Sequence, residues 1–223
     1  MRTSTRRKLA YLGLAALDTG LSASASPLAH RARFVTKPLL MPVLASSVLA
    51  SGRTGLTAPV VIAEACGFVG DVALLSEARR PFFVGSAAFA VGHASYVAGF
   101  MAQRSTSPLF ASRRTRALAV LWAVAAPVNA VRAGRRDPAQ GAAVAAYSLS
   151  LTSMAIASGH LSPSIRPSAR ALAGLGGLAF LTSDSLLGLR KFVLSDPPPA
   201  LEGAVMATYT GAQFLLAEAA TRA

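Results

Sequence analysis

Hydrophobic positions along the chain are grouped into long apolar runs rather than short alternating segments. Segments rich in Pro, Gly, Ser or Arg, which mark helix ends, separate the runs. The runs approach the roughly 20 residues that an α-helix needs to cross a bilayer, and they lack the alternation of a barrel strand. The pattern predicts eight helices, near residues 9–25, 34–50, 56–75, 82–102, 117–131, 141–160, 171–192 and 201–219.

These helices define the expected fold class and domain organisation. Inside a bilayer only helices and closed barrels satisfy every backbone hydrogen bond. We therefore expect an all-α fold, a polytopic membrane bundle of about eight transmembrane helices. Residues 9–223 are predicted to form this single transmembrane domain, after a basic cytoplasmic N-terminus at residues 1–8.

The first run can also be interpreted as a signal peptide. Basic residues precede it, namely Arg2, Arg6, Arg7 and Lys8. It ends in Ala23-Ser24-Ala25, which resembles a signal-peptidase site. However, Asp18 interrupts the apolar stretch, and a polytopic membrane protein needs no removable signal. We favour a retained first helix, with cleavage as the alternative.

The composition supports a membrane protein. Hydrophobic residues make up 53% of the 223 residues and charged residues only 14%, and the mean hydropathy is +0.49. A soluble domain has about 25% charged residues, so this chain has too few to cover a water-facing surface. A soluble globular enzyme is therefore excluded as the leading interpretation. The single cysteine, Cys66, allows neither an intramolecular disulfide nor a thiolate metal site.

The net charge of +13 raises the possibility of a nucleic-acid partner. The Lys and Arg residues, however, lie in small groups between the apolar runs, such as Arg79-Arg80, Arg113-Arg114 and Arg135-Arg136. We interpret them as anchors at lipid headgroups and expect no nucleic-acid partner. Slightly more of them flank the side of the N-terminus, which favours a multi-pass protein with both termini in the cytoplasm.

Several ionisable side chains fall inside the predicted helices, where each requires an explanation. A charged residue at the centre of a bilayer costs about 2.5–3.5 kcal/mol on the insertion scale. The residues concerned are Asp18, Lys37, Glu64, Asp71, His93, Asp184 and Glu202. Asp18 and Glu202 lie near uncertain helix ends, and we expect them to have interfacial or helix-terminal roles.

The third and seventh helices each direct a carboxylate toward one face. Glu64 and Asp71 share a face of the third helix, where intervening glycines permit close approach of a neighbour. Asp184 shares a face of the seventh helix with Lys191. Two carboxylates in one buried cavity suit acid/base catalysis, because one can stay protonated while the other is ionised. The alternatives are helix-to-helix hydrogen bonds, pairing with a lysine, and the proton relay of a transporter.

The fourth, sixth and eighth helices carry further polar side chains. His93 and Tyr96 share a face of the fourth helix, Tyr147 lies in the sixth, and Tyr209 and Gln213 lie in the eighth. We expect these helices to line one polar cavity. An intramembrane His that only hydrogen-bonds a neighbouring helix is the alternative for His93.

Lys37 is predicted about one turn into the second helix. There it either snorkels to the headgroup level or holds the phosphate of a lipid as a point charge. No zinc site is predicted, because His30 is expected in a loop and His160 at a helix end. Pairing of His93 with a nearby serine is disfavoured, since Ser is ordinary packing material in membrane helices.

The order of these elements resembles the YhhN/TMEM86 family of multispanning membrane proteins, whose characterised members are lysoplasmalogenases. The resemblance covers about residues 34–219 and rests on short motifs in a fixed order. The motifs are Thr36-Lys37-Pro38-Leu39-Leu40-Met41-Pro42, Gly70-Asp71, Phe82-Phe83-Val84-Gly85 with Phe89, His93 and Tyr96, Tyr147 with Met154, Phe180 with Ser183-Asp184 and Lys191-Phe192, and Tyr209 with Gln213.

The resemblance implies hydrolysis of the vinyl ether bond of a lysoplasmalogen to a fatty aldehyde and glycerophosphoethanolamine or glycerophosphocholine. One of Asp71 and Asp184 would be the general acid and the other would activate water, with neither a metal nor an organic cofactor. The implied partners are the lysophospholipid, water and membrane lipids, in the inner (plasma) membrane of a bacterium. The implied substrate-binding residues are Lys37, Glu64, His93, Tyr96, Tyr147, Lys191, Tyr209 and Gln213.

Two other functional classes stay open. A proton-coupled transporter or lipid-handling membrane protein would use the same carboxylates as a relay. Such a protein is expected to carry an inverted repeat with helix-breaking residues in matching spans. Pro38 and Pro42 in the second helix and Pro127 in the fifth form no clear repeat. A structural membrane subunit leaves the inward polar residues without a role, so we favour the hydrolase.

Overall fold

The computed structural model describes residues 3–135 and 137–223, so Arg2 and Arg136 of the basic groups lie outside the described residues. Eight α-helices occupy most of the described chain. They are α1 (Thr3–Ser22), α2 (Pro27–Leu49), α3 (Thr57–Ala73), α4 (Arg79–Ala102), α5 (Arg113–Gly134), α6 (Pro138–Ala157), α7 (Pro167–Gly188) and α8 (Pro199–Arg222). A short 3₁₀ turn, Leu109–Ala111, precedes α5, and α7 continues into a π-helical segment, Leu189–Val193.

The predicted all-α class is confirmed, and no β-strand occurs in residues 3–135 and 137–223. Four helices are long and apolar enough to cross a membrane by length and composition, namely α2, α4, α5 and α7 with its π-helical segment. The chain therefore has the eight predicted helices, but only half of them meet this criterion for a span. α3, for example, has only 17 residues.

Prolines and capping side chains determine where several helices begin. Four helices start with a proline, which is favoured there because the first helical N–H has no acceptor within the helix. These prolines are Pro27, Pro138, Pro167 and Pro199. Ser112 caps α5 by accepting a hydrogen bond from the backbone N–H of Thr115. These five helices consequently begin before the apolar runs that predicted them.

α1 starts at Thr3, so residues 3–8 of the basic segment are helical. Two positional predictions are wrong because α2 also begins earlier than its apolar run. α2 starts at Pro27, so Lys37 lies near the middle of the helix rather than one turn in. His30 is likewise helical and not in a loop. A basic residue next to an apolar run marks the water interface, which is not the same as the helix end.

The helices pack mainly as consecutive pairs, α1 with α2, α3 with α4, α5 with α6 and α7 with α8. α8 also contacts α1, α2 and α3, and it carries the longest set of buried residues. α5 is peripheral, since its principal neighbour is α6. With short loops between paired helices, the α1–α2, α3–α4, α5–α6 and α7–α8 loops fall at one end of the bundle, which we call the cavity end. The other end is called the closed end.

Side-chain pairs hold the closed end together. Glu218 of α8 forms ion pairs with Lys8 of α1 and, at 2.7 Å, with the Nη2 atom of Arg222. The hydroxyl of Thr54 donates a hydrogen bond of 2.8 Å to the carbonyl oxygen of Ala220. These contacts join α1, the α2–α3 loop and the end of α8.

A glycine beside the first predicted carboxylate permits close packing of α3 and α4. A Cβ atom at Gly70 would lie 2.5 Å from the ring of Phe89, which is closer than real Cβ contacts. The aromatic ring of α4 thus lies directly against the backbone of α3, beside Asp71. The expected close approach of a neighbouring helix at this glycine is confirmed.

Candidate active site

A cavity of about 280 Å³ lies in the cavity half of the bundle. Residues of seven helices and of the π-helical segment line it, and α1 is the helix that does not contribute. Six of the side chains predicted from the sequence reach the cavity, namely Lys37, Asp71, Tyr147, Asp184, Lys191 and Tyr209. Both predicted carboxylates therefore face the same space, although they are more than 100 positions apart in the chain.

Asp71 is in contact with two polar side chains from other helices. Its side chain is buried, with 2% of the residue exposed. The hydroxyl of Tyr209 on α8 donates a hydrogen bond of 2.8 Å to Oδ2, and Nζ of Lys37 on α2 lies 3.7 Å from Oδ1. The buried carboxylate thus has both a hydrogen-bond donor and a cation beside it, which is the condition for burying an ionised group.

Asp184 also accepts a hydrogen bond from a tyrosine, in a different setting. The hydroxyl of Tyr147 on α6 donates to Oδ2 of Asp184. Asp184 is half-buried, and it makes no ion pair within the described part of the chain. Its carboxyl group therefore lacks the neighbouring cation that Asp71 has.

Two further predicted residues lie behind the cavity wall and support Tyr209. The Nε2 group of Gln213 donates a hydrogen bond of 3.4 Å to the hydroxyl oxygen of Tyr209. The hydroxyl of Tyr96 in turn donates a bond of 2.7 Å to Oε1 of Gln213. Each hydrogen bond in this series is donated in the direction of Asp71, so side chains of α4 and α8 together fix the orientation of the carboxylate. Tyr96 and Gln213 do not line the cavity themselves.

His93 and Glu64 also lie outside the cavity lining. The ring of His93 packs on Tyr147 and Phe180, with centroid distances of 5.3 and 5.0 Å, and Nδ1 lies 3.2 Å from Oγ of Ser150. Both carboxylate oxygens of Glu64 are buried without a hydrogen-bond partner in the described chain. Neither residue therefore reaches the cavity surface directly, and the ring of Tyr147, which lines the cavity, lies against His93.

A cluster of charged residues surrounds the mouth of the cavity. Arg33 of α2 and Arg190 of the π-helical segment both pair with Glu202, at 3.2 and 3.1 Å. Lys191 lies over the ring of Phe82, with Nζ 5.6 Å from the centroid. Three cations from two separate segments therefore meet at one end of the cavity.

Asp18 belongs to this cluster without lining the cavity. Its Oδ1 atom accepts a hydrogen bond of 2.6 Å from the hydroxyl of Thr36 and lies 3.5 Å from Nε of Arg33. Asp18 is fully buried and lies about one turn before the end of α1 at Ser22, so it has the expected helix-terminal position. Glu202 also has the expected helix-terminal position, in the first turn of α8.

The deeper part of the cavity is mostly apolar. Its walls come from α5, α6 and α7, and they include Leu118, Leu121, Ala125, Leu151 and Leu181. Trp122 also lines this part, and its indole N–H donates a hydrogen bond of 3.2 Å to Oγ of Ser148. A hydrocarbon group would find an apolar surface here.

Sequence reasoning missed Arg33, Arg190 and Trp122 as cavity residues. Arg33 lies just outside the second helix predicted near residues 34–50, but its spacing of four from Lys37 is a usable signal once α2 is known to start at Pro27. Arg190 and Trp122 carried no such signal. Among the described residues, no group of three or more His, Cys, Asp or Glu side chains could hold a metal ion.

Comparison with known proteins agrees with this architecture. The sequence profile of the YhhN family matches residues 32–220, which is most of the chain and includes every cavity residue described above. No curated protein and no solved structure is significantly similar to the chain. The extent of the profile match shows that this protein belongs to the YhhN family.

Proposed function

We propose that this protein is a membrane-embedded hydrolase that cleaves the vinyl ether bond of a lysoplasmalogen, releasing a fatty aldehyde and glycerophosphoethanolamine or glycerophosphocholine. The observation that carries the proposal is the order of chemical groups along the cavity. Arg33 and Lys191 lie at the mouth, Asp71 and Asp184 follow, and apolar walls lie deepest. An alkenyl lysophospholipid has the same order, with phosphate first, then the vinyl ether beside the glycerol, then hydrocarbon.

Membership of the YhhN family supports this choice of reaction, because the resemblance described above implies lysoplasmalogenase activity. A fold alone does not imply a function, which depends on the site. Here the two carboxylates, their tyrosine partners and Lys37 belong to the matched region. Membership and site therefore favour the same chemistry.

The surroundings of the two carboxylates favour different protonation states. Asp71 has Lys37 beside it and accepts a hydrogen bond from Tyr209, so its ionised form is stabilised. Asp184 has a tyrosine donor but no cation within the described chain, and its ionised form lacks equivalent support. We assign Asp184 as the general acid and Asp71 as the base.

The reaction begins with proton transfer to carbon. Asp184 donates its proton to the outer alkene carbon, which produces an oxocarbenium ion at the carbon bonded to the ether oxygen. The negative charge of Asp71 stabilises this cation. Asp71 then removes a proton from a water molecule, whose oxygen bonds to the cationic carbon and forms a hemiacetal.

Breakdown of the hemiacetal restores both carboxyl groups. Asp71, now protonated, donates its proton to the glycerol oxygen as the carbon–oxygen bond breaks. Asp184, now ionised, accepts the proton of the hemiacetal hydroxyl as the aldehyde forms. One water molecule is consumed, and each carboxyl group returns to its starting protonation state, so the cycle needs no metal or redox cofactor.

The test is aldehyde release by the purified protein in detergent or nanodiscs. Lysoplasmenylethanolamine and lysoplasmenylcholine are offered separately, and the aldehyde is trapped with a hydrazine reagent. A saturated 1-O-alkyl lysophospholipid is the matched control, because it has the same ether oxygen but no alkene carbon to protonate. We expect aldehyde from the vinyl ethers and none from the saturated ether.

Two outcomes would contradict the proposal. If folded protein releases no aldehyde from either headgroup substrate at acidic to neutral pH, the hydrolase proposal is contradicted. Release of fatty acid from a 1-acyl lysophospholipid, without aldehyde from vinyl ethers, would indicate an esterase. Proton-dependent lipid movement in the first case would favour the transporter alternative.

A further inference from the structure

The cavity extends to the membrane-facing surface of the bundle between α5 and α7. Leu121 of α5 and Ser185 of α7 both line the cavity and are exposed, with 51% of Leu121 accessible. α5 packs along its length against α6, and it meets the far end of α7 mainly at the π-helical segment. A lateral gap therefore separates α5 from α7 between the π-helical segment and the closed end of the bundle.

The length of the gap matches one leaflet of a bilayer. The residues of α5 that line the cavity extend from Leu118 to Asn129, which corresponds to about 16 Å of helix. Half the hydrocarbon thickness of a bilayer is about 15 Å. Leu181 and Leu187 of α7 provide the opposite apolar wall. A single hydrocarbon chain extended along α5 would thus remain in apolar surroundings over a whole leaflet.

The polar end of this gap is charged and lies beside the π-helical segment. Arg190 and Lys191 belong to that segment, and both line the cavity. A π-helical turn changes which side chains face a neighbouring surface. Here it brings two consecutive cations to the end of the gap, where a phosphate group on a hydrocarbon chain would lie.

We propose that the gap between α5 and α7 is a lateral entrance and chain-binding slot for a single-chain phospholipid from the bilayer. The phosphate lies beside Arg190 and Lys191, and the hydrocarbon chain lies along α5 from Asn129 toward Leu118. The choice of a lysophospholipid rests on the proposed function, but the binding requires no turnover. The cavity volume of about 280 Å³ is near the lower end of ligand pockets, about 300–1,000 Å³, and suits one chain rather than two.

Trp122 provides a built-in probe of this slot. It is the only tryptophan of the chain, and it lines the cavity on the α5 wall. Bromine atoms quench indole fluorescence at short range. A 1-O-alkyl lysophospholipid with bromines at mid-chain carries a phosphate and cannot undergo vinyl ether hydrolysis, so its binding is measured without catalysis.

The experiment titrates this brominated lipid into the full-length protein in nanodiscs of unbrominated lipid. We expect saturable quenching of Trp122 that the unbrominated lipid reverses. Ala125→Phe, which fills the slot one turn from Trp122, should weaken binding about tenfold, because it removes apolar surface available to the chain. Ala123→Phe is the matched control, since Ala123 is exposed on the same helix and does not line the cavity.

The phosphate end is tested with a second ligand. Lys191→Gln should weaken binding of the brominated lysophospholipid several-fold. Binding of a brominated monoacylglycerol of equal chain length should be unchanged, because only the lysophospholipid carries an anionic phosphate. Monodisperse elution in detergent establishes that each variant is folded.

The proposal is overturned if quenching fails to saturate, or if Ala125→Phe and Ala123→Phe behave alike, because the chain would then contact only the outer surface. The two proposals fail in different ways. Saturable quenching without aldehyde release would support the lateral entrance and contradict the hydrolase proposal. Aldehyde release without quenching would contradict the lateral entrance and support the hydrolase proposal.

Discussion

The two tyrosine–carboxylate pairs of the cavity use the same hydrogen bond in different surroundings. In the first pair, Tyr209 donates to Asp71, and Lys37 lies 3.7 Å from the carboxylate. In the second pair, Tyr147 donates to Asp184, which has no ion-pair partner among the described residues. Asp71 is deeply buried, whereas Asp184 is half-buried on the wall that borders the lateral gap.

The residues behind each tyrosine also differ. Tyr209 receives a hydrogen bond from Gln213, which receives one from Tyr96. Tyr147 instead contacts the ring of His93. One pair is therefore the end of a directed hydrogen-bond chain, and the other rests on ring packing. The comparison teaches that the charge and hydrogen bonds around a carboxyl group, rather than its residue type, favour a base at Asp71 and an acid at Asp184.

The largest expected effect comes from removing either carboxyl group. Asp71→Asn and Asp184→Asn should each lower kcat for aldehyde release by about 10²- to 10⁴-fold, the usual contribution of a positioned acid or base. The measurement is single-turnover aldehyde release at saturating substrate. Elution and thermal unfolding in detergent serve as controls for folding.

Infrared spectroscopy distinguishes the two roles in these variants. A protonated carboxyl group has a carbonyl stretch that an ionised carboxylate lacks, so Asp184→Asn should remove that band and Asp71→Asn should preserve it. Loss of the band in Asp71→Asn alone would reverse the assignment. Full activity in either variant would eliminate the carboxylate pair as the catalytic group.

A smaller effect is expected from the tyrosine donors, and it should be unequal. A hydrogen bond to a charged group contributes about 1.5–3 kcal/mol, against about 0.5–1.5 kcal/mol for a neutral pair. Tyr209→Phe should therefore slow the reaction about 10- to 100-fold, and Tyr147→Phe about 2- to 10-fold. The measurement is kcat/KM for both variants under identical conditions. Equal losses would mean that the two carboxyl groups carry the same charge.

The hydrogen-bond chain behind Tyr209 should affect stability more than chemistry. Gln213→Leu leaves the buried hydroxyl of Tyr96 without its acceptor, which costs about 1–3 kcal/mol. Adding Tyr96→Phe to Gln213→Leu removes both partners and should recover part of this loss. Thermal unfolding of the single and double variants forms the cycle. Strict additivity would mean that the two side chains do not interact in solution.

The smallest effect, on thermal stability, is expected from an exposed ion pair at the start of α6, the helix whose Tyr147 donates to Asp184. Nε of Arg79 at the start of α4 lies 2.5 Å from Oδ2 of Asp137, which caps α6, the helix that carries Tyr147. The hydrogen bond from Arg79 lowers the pKa of Asp137 below its ordinary value. Stabilisation by this pair is therefore present above the unfolded pKa, about 3.9, and disappears as the pH falls through the lowered folded pKa.

Arg79→Gln tests this dependence. The variant should unfold at a slightly lower temperature than the parent at neutral pH, and the difference should shrink as the pH falls through the lowered pKa of folded Asp137. Thermal unfolding at neutral pH and over a series of acidic pH values measures this change. A difference that grows on acidification would contradict the assigned direction.

The hydrophobic pattern was sufficient to predict the helices, because burial in lipid requires long apolar runs with internal backbone hydrogen bonds. Helix starts were less predictable. The start of α2 at Pro27 depends on proline geometry rather than hydropathy, so the hydrophobic pattern places Lys37 too close to the helix end. The pattern does identify Asp71 and Asp184 as candidates, since an intramembrane carboxylate is rare and costly.

The hydrophobic pattern and the motifs alone therefore predict the all-α class, the family resemblance and the short set of inward polar residues. Which of these residues share a cavity depends on the packing of the helices. Lys37, Tyr147 and Tyr209 lie beside the two carboxylates in the cavity, whereas Glu64 and His93 lie outside the cavity lining. The meeting of Arg33 and Arg190 at Glu202 likewise depends on tertiary packing. Helical periodicity fixes the face a residue occupies, but the neighbour that this face meets depends on how eight helices pack.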